Sequence, residues 1–277
     1  MKIVETNGNI NIYELNNFTL SQTLDCGQAF RWQMINENLW HGAARGKYLK
    51  IGCDNGVVTL YDTSLDDFQN IWRDYFDLDR DYAGIITSIS KNEILKKASS
   101  FAEGIRILNQ DPWEALCSFI ISQNNNIPRI KGIIERLCNS FGEKINDSFF
   151  SFPTADKIAF LTLEDLAPLR SGFRAKYILD AAKKVASGEL ELEPLKSINI
   201  DLARAELMKI YGVGAKVADC ALLFGLGHMD AFPKDVWIKK AIKKLFDGEL
   251  PKEALSYAGI VQQYIFHYAR STKLEID

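Results

Sequence analysis

Residues Ile210 to Asp235 read IYGVGAKVADCALLFGLGHMDAFPKD, and the interpretation of this stretch decides the fold. The helical pattern of Asp201–Tyr211, with Ala203, Leu207 and Ile210/Tyr211 on one side, stops at Gly212-Val213-Gly214, and a second helix begins near Ala215. This second helix carries Ala218, Ala221, Leu222 and Gly225 on one face. The two glycines permit backbone angles closed to other residues, while Val213 plugs the space between the helices. Free N–H groups at such a helix start favour an anion, a DNA phosphate for example. The spacing predicts a helix–hairpin–helix over about residues 201–226.

Two ionisable residues flank this turn in unusual places. Lys216 sits in the first turn of its helix, where a cation opposes the macrodipole at a cost on the order of a few tenths of a kcal/mol. Its plain reading is an exposed surface lysine; its chemical reading is a nucleophilic amine. Asp235 precedes the apolar stripe Ile238, Ala241, Ile242 and Leu245, so it reads first as the N-cap of a helix over Val236–Phe246. A capping carboxylate held ionised can also stabilise a nearby cation. An amine nucleophile and a fixed carboxylate beside a phosphate-binding turn suit cleavage of a glycosidic bond, whose transition state is oxocarbenium-like.

Outward from this stretch, the chain changes character once. Up to about Ser64, β-prone runs such as Ile10–Tyr13, Tyr48–Ile51 and Val57–Tyr61 alternate with turn signals at Asn7-Gly8, Gly42 to Gly46 and Asp54-Asn55-Gly56, the pattern of an antiparallel sheet. Cys26-Gly27-Gln28-Ala29-Phe30-Arg31-Trp32 reads as a strand entering a core, with Arg31 snorkelling. From Leu65 the apolar period is helical, in Leu65–Tyr75, Asp81–Ser88 and Asn92–Ala102 and onward to the end. The buried helix Trp113–Ile121 runs into the polar Ser122–Asn126, expected at an exposed tip. An amphipathic helix follows over Ile127–Phe141, with Arg129, Lys131 and Arg136 on its polar side; the basic turn Arg170–Lys176 then leads into the helix Tyr177–Ser187.

Composition limits the class. With 277 residues, 47% hydrophobic and 25% charged, the chain can bury a sizeable core. The sequence offers no membrane-length apolar run and no secretory pattern at its start, so the expectation is a cytoplasmic protein, nucleoid-associated if bacterial or archaeal. Five scattered cysteines and three histidines point to neither a disulfide framework, a metal site nor an iron–sulfur cluster; no cofactor is expected. A net charge of −3 argues against indiscriminate nucleic-acid binding but leaves room for a local basic face.

The stretch IYGVGAKVADC, with Phe232-Pro233-Lys234-Asp235-Val236, resembles the helix–hairpin–helix Gly/Pro…Asp superfamily of DNA glycosylases. More narrowly, Gly27–Trp32, Ser122–Ile127 and Gly172–Lys176 resemble, in the same order, segments of the 8-oxoguanine DNA glycosylases. The resemblance implies a bifunctional N-glycosylase and abasic-site lyase in which Lys216 attacks C1′ to form a Schiff base and Asp235 stabilises the sugar cation. It implies that the backbone carbonyl of Gly27 accepts the N7–H of the lesion, a proton guanine lacks. Cys220 and Phe266 would sandwich the flipped base, and Gln262, or else its neighbour Gln263, would read the Watson–Crick edge. Asn124 would fill the gap in the duplex, Arg129 and Arg174 would read the opposite cytosine, and Gly212 and Gly214 would hold a phosphate.

Two positions depart from the family pattern. Phe173 stands where eukaryotic relatives have a tyrosine wedge, and Trp237 where they have a histidine near the DNA backbone. The expected architecture is α+β: an N-terminal antiparallel β lobe with flanking helices (1–90), a helical domain with the hairpin and the Asp loop (91–245), and a C-terminal helix closing the base pocket (246–277). The expected partner is double-stranded DNA containing 8-oxoguanine, met by a monomer. An alkylated-base glycosylase would need no lysine nucleophile, and a non-catalytic DNA-binding module would use the hairpin alone.

Overall fold

A computed structural model describes residues 1–272 of the chain; the last part of the expected C-terminal segment, 273–277, lies outside the described residues. Six antiparallel strands, β1 Lys2–Thr6, β2 Asn9–Tyr13, β3 Trp32–Asn36, β4 Leu39–Ala44, β5 Lys47–Asp54 and β6 Val57–Tyr61, form one sheet in the order β1-β2-β6-β5-β4-β3. Three of its hairpins turn on two residues with positive φ: Asn7-Gly8 (53° and 74°), Arg45-Gly46 (48° and 75°) and Asn55-Gly56 (47° and 76°). These are the mirror-image turns whose twist matches that of the strands. Gly42, expected in a turn, lies instead within β4, where a Cβ would come within 2.7 Å of the Trp32 ring and the Arg31 carbonyl.

A helical run over 65–75, started by Ser64 accepting from the Asp67 N–H, lays Phe68, Trp72 and Tyr75 beneath the sheet. There they meet Trp32, whose indole N–H donates to the Tyr75 hydroxyl at 2.9 Å. The longer helices that follow are α1 Tyr82–Ile89, α2 Glu93–Phe101, α3 Pro112–Ser122, α4 Ile127–Phe141, α5 Arg174–Ala186, α6 Ile200–Leu207, α7 Ala215–Gly225, α8 Val236–Phe246 and α9 Ala258–Ser271. They surround a second apolar core, which already includes Tyr82, Ile85 and Ile89 of α1. The two cores are not split at one point of the chain: Leu78 and Leu108 belong to the core under the sheet, and Tyr82 lies in the second. Two helix limits also differ from expectation. Helix α5 begins at Arg174, directly after the positive-φ Gly172 and Phe173, and α6 ends at Leu207, four residues early, as the chain bends into the hairpin.

The segment 26–31 is irregular rather than a strand, because it serves both cores. Cys26 and Phe30 enter the helical core, whereas Ala29 and Trp32 enter the core under the sheet. Arg31 does not snorkel: it is buried in an ion pair with Glu114 at 3.3 Å and also donates to the Phe150 carbonyl. Burial alone would push the Glu114 carboxyl upward and the Arg31 charge draws it back, so the pair survives only as a pair.

Gln28 is the fully buried clasp of this segment. Its Nε2 donates to the carbonyls of Thr23 and Arg106, each at 2.8 Å, and its Oε1 accepts from the Leu108 N–H at 2.9 Å. Gln28→Leu would remove the amide from three backbone groups and leave the Thr23 carbonyl only the weak Cys26 thiol donor, and we expect it to lower unfolding free energy by about 3 kcal/mol in chemical denaturation.

Candidate active site

The turn between α6 and α7 has the expected shape, with one correction. Gly212 has φ +78°, and a Cβ there would lie 2.4 Å from the Tyr177 ring, so both backbone angle and space demand glycine. Gly214 has φ −104°, an angle open to any residue, and a Cβ would meet nothing within 4 Å. Its value is that it leaves the start of α7 without a side chain over the first-turn N–H groups. Val213 and Ile210 are buried between the helices as read from sequence, but Tyr211 is 63% exposed, its ring set edge-on to Tyr177. We expect Gly212→Ala to lower stability by about 2 kcal/mol, read as a shifted denaturation midpoint, through backbone strain and the Tyr177 clash.

Lys216 follows in the first turn of α7. It is half-buried, its Nζ donating to Ser122 Oγ at 3.2 Å and lying 5.5 Å from the centre of the Phe119 ring. Ser122 Oγ donates in turn to the Phe119 carbonyl at 2.8 Å, which turns the hydroxyl oxygen into an acceptor for the amine. Asp235 caps α8 as expected, its Oδ1 accepting from the Ile238 N–H at 2.7 Å. The second carboxylate oxygen is then the one available to a ligand.

These two side chains share a pocket with Gly27, Cys220, Gln262, Gln263 and Phe266. Gly27 supplies its backbone at φ +90°, and its missing Cβ would make only an ordinary 3.8 Å contact with Ile127, so the angle rather than the space selects glycine. Burial pushes the Cys220 thiol up to about 11, against the pull of Lys216, so it forms the wall as a neutral thiol. Gln262 and Gln263 both line the pocket.

The pocket opens into a wider cleft of about 770 Å3 that adds Asn124, Phe173 and Trp237 to the shared Gly27, Lys216, Asp235 and Phe266. Three lysines, Lys216, Lys234 and Lys239, line this cleft against the single carboxylate of Asp235, so a basic face sits within a chain of net charge −3. At its rim, three of the four consecutive amides have local tasks: Gln123 and Asn125 donate to the Ile120 and Ile121 carbonyls, and Asn126 accepts from the Arg129 N–H at the start of α4. Asn124 differs. It is exposed at the tip in the left-handed region, φ +46°.

The two arginines separate in kind. Arg129 is exposed on α4. Arg174 is only 2% exposed and lies under the Asn124 turn, donating to the carbonyls of Gln123, Asn124 (2.7 Å) and Ser171 (3.1 Å). Phe173 is half exposed, with the Arg174 guanidinium 4.5 Å from its ring centre, and Trp237 is 54% exposed. The sequence singled out neither Ser122 as the partner of Lys216 nor Phe119 beneath it. The signal available was their position at the end of a buried helix that feeds the amide tip. No helix of the described residues is long and apolar enough to cross a membrane.

Comparison with known proteins follows the same division. Residues 10–116 match the 8-oxoguanine DNA glycosylase N-terminal domain, and residues 117–255 match the HhH-GPD superfamily of base excision DNA repair proteins. The structure is similar to that of MBOgg1 bound to a low-affinity DNA ligand, with 40% identity, TM-score 0.92, and coverage of 98% of this chain and 99% of that one. It is similar also to the Clostridium acetobutylicum 8-oxoguanine glycosylase/lyase bound to double-stranded DNA with cytosine opposite 8-oxoguanine, with 38% identity, TM-score 0.91 and 99% of each chain covered. The Saccharomyces cerevisiae N-glycosylase/DNA lyase is 42% identical over 158 residues, which span 51% of this chain and 42% of the yeast protein. With both domain models matched end to end and the sheet, hairpin and Asp-capped helix in place, the chain belongs to the HhH-GPD superfamily, in its 8-oxoguanine DNA glycosylase branch.

Proposed function

We propose that the protein removes 8-oxoguanine from double-stranded DNA and then cleaves the strand at the resulting site. The observation that carries this reading is the convergence of an amine, a carboxylate and the Gly27 backbone on one pocket at the mouth of a basic cleft. The lesion nucleotide must leave the stack to reach that depth. In the pocket, Cys220 and Phe266 lie against the two faces of the base, and Gln262 meets its Watson–Crick edge. The Gly27 carbonyl takes the N7–H; opposite an unoxidised guanine it would face a lone pair instead.

In the chemical step, Lys216 Nζ bonds to C1′ as the C1′–N9 bond breaks and the base departs with the bonding electrons. Asp235 offsets the positive charge that develops on the sugar. Opening of the sugar ring gives the Schiff base, and loss of a C2′ proton expels the 3′ phosphate. Meanwhile Asn124 occupies the vacated stack, Phe173 wedges beside the unpaired partner base, and Arg129 meets that base with Arg174 bracing the turn. Gly212 and Gly214 leave the N–H groups of the hairpin to a backbone phosphate. We further infer that it acts as a monomer, in whichever compartment holds the DNA.

The test is a base-release assay on duplexes carrying 8-oxoguanine, 3-methyladenine or no lesion. Release of 8-oxoguanine alone supports the reading. Preferential release of the alkylated base would replace it with the related alkylation-repair activity, and binding without release of either base would leave only a DNA-binding module.

A further inference from the structure

Phe173, Tyr177 and Asp180 stand at positions i, i+4 and i+7 of one helical face, since the backbone of Phe173 already has helical angles where α5 begins. The Phe173 ring meets Tyr177 edge-on with centres 5.6 Å apart, and Tyr177 meets Tyr211 of the hairpin edge-on at 5.2 Å. Gly212 lies over the face of the Tyr177 ring: a Cβ there would be 2.5 Å from both Cδ2 and Cε1, atoms on opposite sides of the ring. One turn further along α5, Asp180 Oδ2 accepts from the Tyr211 N–H at 2.7 Å. The two end rings stay 48% and 63% exposed, so this row hides little apolar surface. It fixes a distance instead. Phe173 at one end and Gly214, two residues beyond Gly212, at the other both line the cleft.

We propose that Tyr177 is a positioning residue that holds the Phe173 wedge and the phosphate-binding hairpin at a fixed separation, so that both engage the same duplex at once. The proposal rests on the duplex contacts read above for Phe173 and for Gly212 and Gly214, and deepens them. Helix α5 is the rigid part: from Phe173 to Asp180 it spans about 10 Å. The Tyr177 ring is suited to the task because its edge-on contacts are directional, whereas an aliphatic side chain would fill the space without setting an angle. A phosphate bound at the hairpin then places the wedge, and the wedge entering beside the unpaired base places the hairpin. Neither Tyr177 nor Asp180 lines the cleft, so their part is to position the residues that do.

The experiment uses the full chain and a duplex carrying an uncleavable abasic analogue, with 2-aminopurine as the unpaired partner base. Two signals are read: the fluorescence change at saturation as the wedge enters beside 2-aminopurine, and the loss of affinity when single phosphates of either strand are replaced by uncharged methylphosphonates. Wild-type protein is expected to give both, with a loss of roughly tenfold or more at the phosphate held by the hairpin. Tyr177→Leu is expected to lose both signals, leaving less than about a threefold effect at that phosphate, and Tyr177→Phe to keep both. Each signal is a comparison within one protein, so a loss of folded material does not move it. Tyr211→Ala, which changes an exposed ring, is the second variant; it is expected to weaken the 2-aminopurine signal although the wedge lies two ring contacts away. Retention of both signals by Tyr177→Leu, loss of only one, or an unchanged 2-aminopurine signal in Tyr211→Ala would overturn the proposal. If wild-type protein lacked either signal, the duplex contact behind it would fall, and the proposal with it.

Discussion

Lys216→Gln is expected to abolish borohydride trapping on duplex DNA carrying 8-oxoguanine and to lower strand cleavage by roughly a thousandfold or more. The magnitude follows from geometry. The amine is pinned at the pocket by Ser122 Oγ at 3.2 Å and backed by the Phe119 ring, so it meets C1′ already in place. Water at the same position lacks that pre-orientation and forms no Schiff base, so the elimination step loses its electron sink. Glutamine, one atom shorter, keeps a polar N–H donor but offers no basic lone pair; binding of lesion DNA should therefore change little. Persistent trapping in this variant would transfer the nucleophile's role to another amine.

The second large effect is expected at Asp235, where capping and chemistry can be separated. Asparagine caps helices about as well as aspartate, so Asp235→Asn should keep the bond to the Ile238 N–H and leave stability within a few tenths of a kcal/mol, by the roughly equal capping ranks of the two residues. Only the negative charge goes. Excision measured under single-turnover conditions should then fall roughly 100-fold while lesion DNA remains bound, the scale seen when one stabilising group is removed from a developing charge. Asp235→Ala would additionally cost about 1 kcal/mol of stability through the lost cap. Unchanged excision by Asp235→Asn would reduce this residue to its structural role.

Much of this molecule was legible in its sequence because its signals are local. The Asn-Gly pairs announce mirror-image hairpins, and the capping residue Asp235 announces α8. The readings that changed concern residues whose task is set by distant parts of the chain. Arg31 looked like a surface-reaching side chain, yet its partner Glu114 lies 83 positions away, so nothing near it in sequence marks the ion pair. Segment 26–31 looked like a strand because its apolar residues recur at short intervals. They recur because the chain feeds two cores in turn, and Gln28 then uses its amide to clasp backbone that a strand would have paired.

The site shows the same pattern. Lys216 and Asp235 were each ambiguous alone, a first-turn lysine and a capping aspartate, and what distinguishes them is that α7 and α8 begin at one pocket. Arg174 was read as a base-contacting side chain, and its guanidinium also holds the carbonyls of the turn that presents Asn124. Ser122 was hidden within a polar run in which Gln123, Asn125 and Asn126 serve the turn itself. No pattern of spacing distinguishes the serine that meets an amine 94 residues away.

The covalent bond between Lys216 and the sugar is the claim on which the rest depends, and peptide mapping by mass spectrometry tests it directly. Protein reduced with borohydride during reaction with an 8-oxoguanine:cytosine duplex should carry the deoxyribose adduct on Lys216, with no adduct formed on undamaged duplex. An adduct on Lys234 or Lys239, the other amines lining the cleft, or none at all while strand cleavage proceeds, would show that the chemistry is organised around a different residue.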